Sequence, residues 1–155
     1  MFTDLFFYFF LASLVFAILS GIFFSIQKKK MITRYQQPNS KVVRSISGTI
    51  VTKNGFLRKK YEWCSFDILI NSNSIFLFPK TFYCIPTRFI NLIFSNSDKR
   101  NTKRPTILRE FYISKHSVEL VSYPGYLING ERKIYLKNLN QEQIILFQNV
   151  LKKNS

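Results

Sequence analysis

The sequence predicts a mainly β domain of about seven strands with one C-terminal α-helix, set behind a single transmembrane helix. Three observations carry this. Leu5–Ile26 is a run of 22 residues without a charge. Between residues 42 and 137, β-branched and aromatic segments alternate with turn-forming pairs such as Asn54-Gly55, Pro124-Gly125 and Asn129-Gly130. Beyond residue 138 the apolar spacing becomes that of a helix.

Leu5–Ile26 reads LFFYFFLASLVFAILSGIFFSI. At about 1.5 Å of rise per residue it is about 33 Å long as a helix, against a hydrocarbon core of about 30 Å. Ser13, Ser20 and Ser25 can bond back to helix carbonyls, and no polar face exists that would suit a soluble core helix. A cleaved signal peptide would need a basic n-region, a shorter apolar run and small residues at a cleavage site. Here the N-terminal flank offers Asp4 and no Lys or Arg, and Ala17, Ser20 and Gly21 do not make a small-x-small pair. Lys28, Lys29, Lys30 and Arg34 follow the run at once, so the positive-inside rule puts the C-terminal domain in the cytoplasm. The expected division is an anchor at 1–27, a basic and polar linker at 28–41 and a soluble domain at 42–155.

Val42–Thr52 is the first strand and Asn54-Gly55 its hairpin turn. Tyr61–Ile70 follows, with Phe66, Ile68 and Ile70 on one face. Asn71-Ser72-Asn73 turns into Ser74–Phe78, apolar on both faces and closed by Pro79. Shorter strands are expected at Phe82–Ile85 and Arg88–Phe94, then a polar, basic loop from Ser95 to Pro105. Ile107–Ser114, Ser117–Tyr123 and Glu131–Lys137 complete the set. In the final helix Asn140 is the N-cap, Gln143 completes a capping box, and Leu139 and Ile144 form a hydrophobic staple. Glu142 in the first turn and Lys152 and Lys153 in the last suit the helix dipole. Ile144, Phe147 and Leu151 make the stripe that should face the core.

Charge is concentrated outside the apolar run. All 23 Lys and Arg follow residue 26, against seven acids, and Lys28 to Lys60 holds ten basic residues and no acid. Such a stretch attracts polyanions, whether lipid headgroups or nucleic acid. Twelve Asn beside 15 Lys also suggest a general compositional drift. Drift alone does not remove acids from 33 consecutive positions.

Strands in hairpin order followed by one amphipathic helix resemble the pleckstrin-homology-like superfold and its GRAM-type relatives, over about residues 42–152. Gly48–Pro79, GTIVTKNGFLRKKYEWCSFDILINSNSIFLFP, looks like the first three strands of that family with a basic first hairpin. The resemblance implies a small β-barrel or sandwich. It also implies that Lys53, Arg58, Lys59 and Lys60 stand where lipid-binding members hold phosphoinositide headgroups. The chain departs from the family in its helix, which carries Phe147 where a Trp is usual; the sole Trp is Trp63.

Enzyme chemistry finds little support. His116 is the sole histidine and lies in a turn, Ser114-Lys115-His116-Ser117. Glu62, Asp67, Glu110, Glu119 and Glu131 are dispersed, and read as solvated residues or salt-bridge partners. No GxxxxGK[ST] or GxGxxG loop exists. Cys64 and Cys84 form no CxxC and read as buried reduced thiols, so no metal or cofactor is expected. The expectation is a non-catalytic, membrane-anchored, cytoplasm-facing module that binds a protein partner or an anionic lipid surface. Its candidate contact residues are Lys28, Lys29, Lys30, Arg34, Lys53, Arg58, Lys59 and Lys60. The alternatives are a membrane-associated enzyme or its accessory subunit, and a nucleic-acid-binding module. Interleaved aromatic and basic residues such as Arg58-Lys59-Lys60-Tyr61-Glu62-Trp63 would serve the last, though a membrane tether disfavours it.

Overall fold

A computed structural model describes residues 2–56, 58–81, 85–95 and 105–154. The chain divides into two units, Met1–Tyr35 and Gln36–Ser155. The first is one helix, α1 (Phe2–Tyr35), whose apolar stretch reaches a mean hydropathy of 2.4 and is long enough to cross a membrane. Phe6, Phe9, Phe16 and Ile22 are all exposed along it, as lipid-facing side chains would be. The helix does not stop at the basic residues: Lys28, Lys29, Lys30 and Arg34 lie on its final turns, so residues 28–35 of the expected linker are helical.

The second unit is a closed barrel. Its strands are β1 (Lys41–Asn54), β2 (Arg58–Ile70), β3 (Ser74–Thr81), β4 (Ile85–Pro86), β5 (Ile90–Ile93), β6 (Thr106–Ile113), β7 (Val118–Ser122) and β8 (Arg132–Lys137). The order β2-β1-β8-β7-β6-β5-β3 closes through a β2–β3 pairing into a seven-stranded ring, with the two-residue β4 beside β3. Seven strands cannot alternate direction all the way round a ring. The one parallel contact, β5 with β6, resolves this, every other pairing being antiparallel. A parallel neighbour needs a longer connection than a tight turn. Residues 96–104 of the expected polar loop, and 82–84 of the expected Phe82–Ile85 strand with Cys84, lie outside the described residues.

Strand alternation sorts the side chains. Cys64, Phe66, Ile68 and Ile70 of β2, Ile75 and Leu77 of β3, Leu120 of β7 and Ile134 and Leu136 of β8 fill the interior. Burial pushes the Cys64 thiol, helped by the Glu62 charge, up to about 12. The opposite faces of β2 and β3 are covered as well, with Leu69, Phe76 and Phe78 buried and Phe89 against Phe78. This explains why β3 reads as apolar on both sides.

β3 does not end at Pro79 as expected; it continues to Thr81, with Pro79 opposite Phe66. The Pro79 carbonyl accepts from Thr87 N–H at 2.9 Å, so its backbone polar groups face away from β2. On that side Pro79 falls between the β5 pairing, which ends at Leu77–Ile90, and the β4 pairing, which begins at Lys80–Pro86, so a residue without an N–H fits the gap between them.

The C-terminal helix α2 (Gln141–Lys153) closes one end of the barrel. Gln143 N–H donates to Asn140 Oδ1 at 2.8 Å and Asn140 N–H to Gln143 Oε1 at 2.9 Å, the reciprocal pair of a capping box. Ile144, Phe147 and Leu151 join the core, with Leu139 buried beside them. Leu139 N–H donates to the His116 carbonyl in the β6–β7 turn, and Asn154 Nδ2 donates to the Ser72 carbonyl in the β2–β3 turn. The helix therefore bridges two turns at the same end of the barrel.

Candidate functional site

The opposite end of the barrel carries the β1–β2 hairpin, the β3–β5 connection and the β7–β8 loop. Gly55 makes the hairpin turn at φ 64, a conformation open to glycine. Register then sets the basic residues: Asn54 faces Arg58, Lys53 faces Lys59, and Thr52 faces Lys60. Like charges directly opposite repel, and each is answered locally. Lys53 pairs with Glu131, Lys60 Nζ lies 2.9 Å from Glu62, and Lys59 Nζ stands 4.8 Å from the Tyr61 ring centroid. The Lys53 bond holds the Glu131 carboxyl below its ordinary range despite burial, with the charges of Lys133 and Lys59 adding to it.

The same alternation that puts Cys64 and Phe66 inside the barrel puts Arg58, Lys60 and Glu62 on the inner side of β2 at its mouth. On β8, Arg132 shares the inner side with Ile134 and Leu136. A cavity of about 780 Å³ opens there, lined among others by Ile50, Glu62, Pro79, Arg88, Ile90 and Arg132. The Arg132 guanidinium sits over the Tyr126 ring at 5.5 Å. Burial lowers its pKa, against the pull of Glu62. Among the described residues its buried Nε has no hydrogen-bond partner. Guanidinium groups present fixed forks of donors suited to phosphoryl and carboxylate oxygens. Arg88 and Arg132 line this cavity beside Glu62, and Lys60 and Arg58 follow Glu62 outward on β2, so cations outnumber acids around the mouth.

Of the residues expected at a contact surface, Lys53, Arg58, Lys59 and Lys60 are brought together on one hairpin. Lys28, Lys29, Lys30 and Arg34 belong to the separate helical unit. Arg88 and Arg132 were not singled out from sequence. The available signal was the pattern Arg132-x-Ile134-x-Leu136, an arginine at the end of an inward-facing row. His116 is exposed in its turn, with Nδ1 3.4 Å from the Leu139 carbonyl at the start of α2. No protein-family model matches this chain, and no curated protein sequence is significantly similar to it.

Proposed function

We propose that this chain is a single-pass membrane protein whose α1 anchors a pleckstrin-homology-like barrel on the cytoplasmic side, where the barrel mouth binds anionic lipid headgroups. The observation that carries the reading is the basic mouth. Inward-pointing positions that hold Ile and Phe deeper in the barrel hold Arg58, Lys60 and Arg132 at its open end, beside a cavity of about 780 Å³. The closed seven-stranded barrel with a C-terminal helix across one end supports the pleckstrin-homology-like assignment. The cations at the end of α1 support the orientation. A module of this kind needs no catalytic group.

The test is sedimentation of residues 36–155 with vesicles of increasing phosphatidylserine content. This unit draws its core from its own strands and α2. Each basic residue near an anionic leaflet contributes about 1 kcal/mol, decaying over a Debye length of about 8–10 Å. Binding should grow with anionic fraction, weaken in high salt and fall when Arg58, Lys59 and Lys60 are replaced by Gln. Absence of binding at low salt would remove the lipid role.

A second reading, docking of a protein partner, is favoured by the outer wall. Trp63, Thr49, Tyr135, Glu119 and Tyr112 lie in one rung across five strands, and Trp63 and Tyr112 are exposed. Tyr and Trp are enriched at protein interfaces.

A further inference from the structure

Two apolar side chains stand at the tip of the barrel mouth with nothing of the fold requiring them. Phe56 in the β1–β2 hairpin is fully exposed (104%), and Ile128 in the β7–β8 loop is 78% exposed. Neither sets a turn: Gly55 supplies the positive φ of the hairpin, and Asn129 (φ 46) with Gly130 turns the second loop. Neither loop is loose. Gly55 N–H donates to the Ile128 carbonyl at 2.9 Å, Ile128 N–H to Asn54 Oδ1 at 3.1 Å, and Lys53 N–H to the Glu131 carbonyl at 2.9 Å. Gly130 fits against β1 because a Cβ there would come within 2.3 Å of the Lys53 carbonyl oxygen. Phe56 and Ile128 are thus presented on two loops stitched into one tip.

The surroundings of this tip are cationic. Arg58 closes the hairpin, and Lys53 and Lys59 face each other one rung behind it. At about 3.4 Å per residue of strand, these charges lie a few ångströms to one side of the apolar pair, and Lys60 one step further. Glu131 and Glu62 offset part of that charge by pairing with Lys53 and Lys60. Arg58 and Lys59 have no such ion pair among the described residues. An apolar tip followed by a cationic collar matches the order met on entering an anionic bilayer from water reversed: acyl chains take the apolar tip, phosphates the collar. A soluble anion would engage the collar and leave Phe56 and Ile128 in water.

We infer that Phe56 and Ile128 form a wedge that inserts beneath the phosphates of an anionic bilayer while the collar of Arg58, Lys59 and Lys53 contacts the headgroups. This rests on the lipid-surface reading and adds to it an apolar component that salt does not screen.

Trp63 supplies a built-in reference. It is the sole tryptophan, 77% exposed on the outer wall of β2, on the side opposite the core-facing Cys64 and Phe66. The experiment places a reporter at the tip as Phe56→Trp in a Trp63→Phe background of residues 36–155, mixed with phosphatidylcholine–phosphatidylserine vesicles. The tip fluorescence should shift to the blue and be quenched by lipids brominated high on the acyl chain, whereas Trp63 in the unaltered protein should shift far less. The double variant Phe56→Ala, Ile128→Ala should lose about tenfold in vesicle affinity and all binding that persists in high salt. Its unchanged circular dichroism would show that the barrel is intact. If the unaltered protein binds and the tip tryptophan neither shifts nor is quenched, the wedge is overturned and the electrostatic reading stands. If nothing binds at low salt, both fall. A blue shift that grows with protein concentration without vesicles would assign the tip to self-association and overturn the wedge.

Discussion

The Asp67 carboxylate lies on the outer side of β2 and is almost wholly buried, with a cation and a backbone donor on one of its oxygens. Lys80 Nζ on the neighbouring strand approaches to 2.9 Å, and Ser45 N–H donates to the same oxygen at 3.0 Å. Ser45 takes a positive φ of 58, where the β1–β2 register shifts between Val43 and Ile46. One carboxylate therefore satisfies both an irregular backbone and a buried ammonium. Breaking such a pair from one side strands the other charge, which costs about 3–5 kcal/mol. Asp67→Ala should destabilise residues 36–155 by about that amount in denaturant unfolding, and adding Lys80→Met should restore part of the loss. In the sequence Asp67 is one of the dispersed acids that read as solvated residues or salt-bridge partners. Its partner lies 13 positions away on another strand, and only the β2–β3 register brings the two together.

At the scale of elements, α2 is the one most fully legible in the sequence, because its signals are local. Cap, capping box, staple and stripe all lie within 13 residues of one another, from Leu139 to Leu151, and all are formed. Phe147→Ala should destabilise by about 3–5 kcal/mol through the cavity left at the closed end of the barrel, measured by denaturant unfolding. Asn140→Ala should cost about 1 kcal/mol through loss of the cap, and Asn140→Asp should largely preserve it. The strands were legible in number and approximate bounds, and less so at their ends. β3 runs past Pro79 because the proline falls in the gap between the β5 and β4 pairings on its side, a circumstance set by other strands. α1 runs past Ile26 because Gln27 to Tyr35 contains no helix breaker. Three consecutive lysines at about 100° per residue then spread charge around much of the helix circumference.

For the whole molecule, the barrel has two unlike ends. One is sealed by α2 with apolar side chains; the other is ringed by three connections and lined by cations. The proposed orientation places Gln36–Ser155 in the cytoplasm. A reporter active only outside the cytoplasm, fused after Ser155 in the full chain, should therefore stay silent, while a cytoplasmic reporter at the same place should be active. The reverse pattern would invert the topology, and loss of about 2–3 kDa from the N-terminus by intact mass would mark the apolar run as a cleaved signal.

The sequence by itself determined what depends on neighbours along the chain: an uncharged helix of membrane-spanning length with cations after it, β segments punctuated by Asn-Gly and Pro-Gly, a capped terminal helix, and a basic first hairpin. These follow from periodicity, turn chemistry and capping, which act over a few residues. Ring closure through β2–β3, the parallel β5–β6 contact, the pairing of Asp67 with Lys80, and the meeting of Arg132 with Glu62 and Tyr126 at the mouth were decided only by tertiary structure. Each joins residues whose separation along the chain carries no pattern, and each exists because a seven-stranded sheet that closes on itself must bring distant strands into register.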